Sequence, residues 1–197
     1  MPARPPRLIL ASSSPYRRAL LGRLGLPFEA ARPAVEESPL PAESADRLAL
    51  RLACAKAEAV AAIHREAIVI GSDQVAALAG SVVGKPGTVE RAHAQLAAAS
   101  GRSVVFYTSV ALARPGHALA SHTDRTEVRF RTLSGEDIER YIARDQPLDC
   151  AGSFRSEGLG IALLESIDTS DPTALVGLPL IWLAAALASA GLDPLGC

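Results

Sequence analysis

Apolar positions along the 197-residue chain fall into short buried runs separated by amphipathic stretches, the pattern of alternating strands and helices. Arg7 to Ala11 reads as a buried strand. Pro15 to Leu24 reads as a helix with Leu20, Leu21 and Leu24 inward and Gly25 as its stop. "PFEAARPAVEESP" is an extended piece ending in two acids, and Ser44 to Arg65 a long alanine-rich helix capped by Ser44. "AIVIGSD" is a continuously apolar run of the kind expected for a central strand, with a hairpin over "QVAALAGSVVGKPG" after it. A helix from Thr88 to Ala99 and two strands joined by a Pro-Gly turn follow. Ser134 to Arg144 is then a helix with Ser134 and Asp137 at capping-box spacing. After the loop "DQPLDCAGSFRSEG" come a strand, "LGIALLES", and a last helix. Alternation with one inserted antiparallel pair predicts an α/β fold with a mixed sheet. No repeat or linker divides residues 1–197, which read as a single domain.

Residues 172–192 carry no formal charge and are long enough to be weighed as a membrane span. Pro172, Gly177, Pro179 and Gly191 bracket a helix from Leu178 to Ala190, only about 20 Å long against a hydrocarbon core of about 30 Å. A buried helix closing the domain is therefore expected. Hydrophobic residues make up 49% and charged residues 21%, a folded rather than disordered profile, and the net charge of −1 provides no field for a nucleic-acid polymer or an anionic membrane. Cys54, Cys150 and Cys197 are far apart and lack CxxC or Cys/His spacing, which argues against a disulfide framework or a zinc site. "MPARPPRLIL" has no signal-peptide h-region, so a cytoplasmic location is expected.

"ASSSPYRRALLGRLG", residues 11–25, crowds hydroxyls and arginines into one strand-to-helix turn. Ser14 as N-cap and Pro15 at the first helical position account for the helix start. Ser12, Ser13, Arg17 and Arg18 are surplus to capping, beside a helix N-terminus that favours anions, so the turn suggests a local phosphate site. No P-loop or GxGxxG turn occurs. No histidine metal motif occurs either, and His64, His93, His117 and His122 read as solvated.

Of the 20 basic residues only Lys56 and Lys85 are lysines. At 100° per residue Lys56 lies about 80° from Leu48, inside the apolar stripe of its helix with Leu52, Ala59 and Ile63. A snorkelling lysine at the helix edge fits that position, as does a compact, strongly hydrated ammonium kept where arginine would not serve. Lys85, in "GKPG", reads as a solvated turn charge or a second phosphate ligand. Asp73 closes "AIVIGSD" at the expected carboxyl end of a central strand, where open α/β sheets bind ligands, though a plain turn aspartate satisfies the same pattern. With Glu36 and Glu37 ending another segment, the set suits a triphosphate, a divalent cation and an attacking water.

Ten ordered blocks carry a resemblance over essentially the whole chain. They are "LILASSSPYRRALLGRLGLPFE", "EE" at 36–37, "AKAEAVA", "VIGSDQV", "GKP", "SGRSVVFYTSVAL", "TEVRFRTLS", "YIARDQPLDCAGSF", "EGLGIALLE" and "LVGLPL". In this order they resemble the Maf family of nucleoside triphosphate pyrophosphatases. The resemblance implies a Maf/ITPase-like α/β fold, a mixed sheet with flanking helices in two lobes around a central cleft, often as a homodimer. It implies hydrolysis of a small-molecule nucleotide to a monophosphate and pyrophosphate. Ser12, Arg17, Lys56 and Lys85 would grip phosphate, Glu37 would help hold Mg²⁺ or Mn²⁺, and Asp73 would accept the water's proton, directly or through that metal.

Tyr16, Gln74 and Glu157 stand where the commoner family pattern has arginine, threonine and glutamine. This combination looks like the 7-methyl-GTP pyrophosphatase subgroup rather than the dTTP/UTP one. N7-methylated guanine is cationic, which favours an aromatic face, and its N–H groups favour a carboxylate. Tyr16 and Glu157 supply both, with Phe154 as an alternative stacking ring. A dTTP/UTP pyrophosphatase of the same family is the alternative within this class. A non-catalytic, nucleotide-sensing regulator of septum formation is the alternative from another.

Overall fold

A computed structural model describes residues 6–196; Cys197 lies outside them. Its centre is a mixed seven-stranded sheet. Three parallel strands, β1 (Leu8–Ala11), β2 (Glu29–Ala31) and the first part of β3 (Ile68–Leu78), form one side in the order β2-β1-β3. The antiparallel strands β5 (Ser103–Ala113), β6 (Ala120–Phe130) and β7 (Leu164–Asp168) continue the sheet beyond β3. The short β4 (Ser81–Val83) pairs with the far end of β3 through a two-residue turn. Ala79 and Gly80, both at positive φ, give that turn the twist an antiparallel hairpin needs.

Five helices cover the sheet: α1 (Pro15–Gly22), α2 (Ala45–Ala61), α3 (Val89–Ala99), α4 (Gly135–Asp145) and α5 (Leu180–Ser189). Strand alternation assigns them to faces. Leu8, Leu10, Ile68 and Ile70 pack in one core with Leu20 and Leu21 of α1 and Leu183 and Leu187 of α5. Further along the same face, Ala76 and Phe106 belong to a second core with Leu96 of α3 and Ile138 of α4. The opposite face of β3 meets α2 through Val75 and Ala77. An alanine stripe, Ala49, Ala53 and Ala57, is fully buried there and brings the helix backbone close. At Gly71 a Cβ would lie 2.2 Å from the Ala53 carbonyl, so only glycine permits this approach.

Ser14 caps α1, and Ser134 with Asp137 forms the expected capping box on α4. Four local expectations need correction. Helix α2 ends at Ala61, so Ile63 falls outside the apolar stripe and is 77% exposed. Ser44 occupies the N-cap position without a side-chain capping bond. Most of "LGIALLES" is a 3-10 turn, Leu159–Leu163, and only its end enters β7. His122 is half-buried and stacks on Trp182 rather than being simply solvated. Among the described residues no helix is long and apolar enough to cross a membrane; α5 has ten residues.

Candidate active site

Strand β3 does not stop at Asp73, which lies at the middle of its 11 residues. The polar pair Asp73-Gln74 interrupts the apolar run without ending the strand. One edge of β3 is paired with β5 from Val69 to Leu78, but the other is paired with β1 only up to Gly71 and with β4 only from Ala76. Residues 72–75 therefore have a strand neighbour on one side alone, and the break between β1 and β4 opens the cleft. A cavity of about 790 Å³ lies there, lined by Ser12, Tyr16, Arg17, Glu37, Lys56, Asp73, Gln74 and Lys85. A smaller one of about 110 Å³ adjoins it, sharing Tyr16, Arg17, Gln74 and Lys85 and adding Arg155 and Glu157. All nine residues to which the resemblance gives a role, Glu157 among them, border this cleft.

Asp73 projects from the face of β3 that α2 covers, and the close approach at Gly71 brings Lys56 to it. Lys56 is 5% exposed, and its Nζ lies 2.6 Å from Asp73 Oδ1 and 2.7 Å from Glu37 Oε1. The ammonium is thus a buried cation held between two carboxylates, rather than a charge escaping to solvent. Glu37 comes from the extended segment after β2, which is tied back to α2: Arg51 donates to the Ser38 carbonyl and to both oxygens of Glu43. Glu36 is not part of the cluster; its carboxylate accepts from the Ser38 backbone and hydroxyl.

In the opening turn, Ser14 Oγ accepts from Arg17 N and Ser12 Oγ accepts from Ser14 N. That second bond uses a lone pair, leaving the buried Ser12 hydroxyl proton free for an anion. Arg17 donates through Nε to the Gly177 carbonyl at 2.9 Å, which leaves its terminal nitrogens for the cleft. Desolvation pulls its guanidinium below the usual arginine value, with Asp73 and Glu37 opposing that shift. Arg18 is exposed and lines neither cavity, so it does not share in the cluster.

Tyr16, Gln74 and Glu157 come from three separated segments and meet in the smaller cavity. Burial raises the Tyr16 phenol above its ordinary value, with neighbouring Arg155 counteracting. Phe154 does not join them. It is 4% exposed and packs on Phe106 and Phe130 in the second core, which removes it as a stacking ring.

Several lining residues escaped the sequence reading. Arg155 is paired with the buried Asp145 at the end of α4, and Cys150 has its thiol pushed up to about 12 by burial beside Asp149. The segment 173–178 is the larger omission, because its carbonyls hold Arg17, Ser72, Gln74 and Thr108. Asp171 shapes it by accepting from Thr173 N and Ile181 N. In sequence the stretch shows its missing charge, which a buried helix explains equally well, and part of the "LVGLPL" block, and neither points to its backbone carbonyls.

The donor set bears on metal binding. Among the described residues no group of three or more His, Cys, Asp or Glu could form a metal cage. Glu37 and Asp73 nevertheless lie together in the cleft, joined through Oε1 and Oδ1 to Lys56 Nζ, and their second carboxylate oxygens are hard donors. That fits a cation such as Mg²⁺, which is held by one or two carboxylates and takes its other ligands from water and substrate phosphates.

The sequence pattern of Maf, "Maf-like protein", matches residues 7–190. Curated relatives extend the likeness over nearly the full length. A Xanthomonas campestris protein is 57% identical over 94% of this chain and 97% of its own. One from Bordetella pertussis is 52% identical over 99% and 98%, and one from Aromatoleum aromaticum 55% over 94% and 96%. All three are named 7-methyl-GTP pyrophosphatase.

Proposed function

The chain belongs to the Maf family, and from that premise we propose that it hydrolyses 7-methyl-GTP between the α- and β-phosphates, releasing 7-methyl-GMP and pyrophosphate. The observation that carries this reading is the meeting of Tyr16, Gln74 and Glu157 in a cavity beside the Lys56–Asp73–Glu37 cluster. The names of relatives sharing more than half of its residues support it.

In this reading the cationic base enters the smaller cavity, stacks on the Tyr16 ring and donates its N–H groups to Glu157. The triphosphate lies in the larger cavity, where Ser12, Arg17, Lys56 and Lys85 neutralise and orient it. Asp73 takes a proton from the attacking water as the water oxygen bonds to the α-phosphorus. The bond from that phosphorus to the bridging oxygen breaks, and pyrophosphate departs with the electron pair. Lys56 holds Asp73 in place through its 2.6 Å contact to Oδ1, so the base is aimed without a separate rearrangement. Glu37 and Asp73 would hold Mg²⁺ or Mn²⁺, which supplies Lewis-acid neutralisation at the phosphate oxygens. The corresponding role is the clearing of modified nucleotides.

Incubation of the purified protein with 7-methyl-GTP, with Mg²⁺, Mn²⁺ or a chelator, tests the proposal. The expected products are 7-methyl-GMP and pyrophosphate in equal amounts, with little turnover after chelation. Orthophosphate as the product, or no hydrolysis with either metal, would contradict it.

A further inference from the structure

Gln74 is held by its amide nitrogen. Nε2 lies 3.0 Å from Thr108 Oγ1, 3.1 Å from the Ala174 carbonyl and 2.9 Å from the Leu175 carbonyl. Two backbone carbonyls can face only the NH₂ end, because a flipped amide would set oxygen against oxygen. Thr108, directly opposite Gln74 in the β3–β5 register, reinforces this choice. It is fully buried and donates its own proton to the Ala174 carbonyl, so its lone pairs are what Gln74 meets. Both amide protons of Gln74 are thus spent inside the protein. Among the described residues its Oε1 has no hydrogen-bond partner, and it is not a buried orphan either, since the residue lines both cavities. The open end of Gln74 is therefore an acceptor only.

We infer that Gln74 selects a base carrying an exocyclic amino group, by accepting one of its protons at Oε1, and that Thr108 is the positioning residue that supports the polarity set by the two carbonyls. The inference rests on the 7-methyl-GTP reading and divides the work within it. Guanine offers a ring N–H and two amino protons on one edge. Glu157 can take the ring proton and one amino proton, which leaves the second for Gln74. Uracil and thymine have no amino group, and threonine at position 74 could not reproduce an acceptor fixed from behind by two carbonyls.

The test compares kcat/KM for 7-methyl-GTP with that for 7-methyl-ITP, which differs only in lacking the amino group. It uses wild type, Gln74→Met, Thr108→Val and Thr108→Ser, with folding checked by thermal melting. Wild type should favour 7-methyl-GTP by about tenfold or more, since the analogue leaves acceptors unpaired. Gln74→Met should reduce that ratio by about fivefold or more. Thr108→Val should reduce it through a raised KM for 7-methyl-GTP at little changed kcat, and Thr108→Ser, which keeps the hydroxyl, should restore it. Should Gln74→Met fail to fold, the two Thr108 variants carry the test. An undiminished ratio in Gln74→Met, or equal ratios in the two Thr108 variants, would overturn the inference while leaving the enzyme's substrate intact. Hydrolysis of neither nucleotide by wild type would instead remove the substrate reading, and this inference with it.

Discussion

Asp73 and Gln74 are consecutive residues on opposite faces of β3, yet both border one cleft. Asp73 meets Lys56 on the side covered by α2, and Gln74 meets Thr108 and the 174–175 carbonyls on the other. A strand paired on both edges would separate two such side chains by the thickness of the sheet. The gap between β1 and β4 removes that separation. Proton transfer and base selection can then be served by adjacent residues with independent surroundings.

Asp73→Asn keeps the shape of the side chain and removes its charge. Turnover should fall about 10²–10⁴-fold, the usual loss for a general base, while nucleotide binding stays measurable by calorimetry. Near wild-type kcat would exclude Asp73 as the proton acceptor.

The two lysines should separate by stability. Lys56→Ala and Lys85→Ala should each impair hydrolysis of several nucleotides alike, because phosphate contacts do not read the base. Lys56 is buried between two carboxylates, so its loss should also cost about 2 kcal/mol in urea unfolding. Lys85 is exposed, and its loss should stay within about 0.5 kcal/mol. Equal stability of the two variants would show that the Lys56 ion pairs contribute nothing net.

Acid should loosen the segment that carries Glu37. Bonds from Arg51, with the Leu40 amide, hold the Glu43 carboxyl at about 2, below its ordinary 4.5. A depressed carboxylate contributes its stability above the ordinary value and loses it as pH falls toward the folded one. Stability should therefore decline from about pH 4.5 toward 2 through this pair, and Glu43→Gln should flatten that part of the profile. Chemical unfolding across the range checks it; an identical slope in the variant would rule the pair out.

Much of this arrangement was legible in the chain. Ser14 with Pro15 and the Ser134/Asp137 box are local signals, set by hydrogen bonds within a few residues, and the structure keeps them. Lys56 was legible because helical periodicity placed a charge among apolar neighbours. Asp73 was placed at a strand end because two polar residues resemble a stop, whereas the missing strand neighbour that exposes them is a long-range property. Phe154 illustrates the same limit, since only packing on Phe106 and Phe130 reveals it as core. The 173–178 carbonyls had no side-chain signature to read, as their part is played by backbone atoms.

The most direct measurement is the ratio of kcat/KM for 7-methyl-GTP to that for dTTP and UTP, in wild type, the single variants Tyr16→Arg, Gln74→Thr and Glu157→Gln, and the triple variant. Tyr16→Arg sets a positive charge against a cationic base, and Glu157→Gln removes the charge that pairs with it. Because the three side chains line one cavity, their effects should be strongly non-additive. Wild type should prefer 7-methyl-GTP, and the triple variant should shift toward the pyrimidine nucleotides. An unchanged ratio in the triple variant would mean that the base is read elsewhere and would contradict the assignment of this cavity.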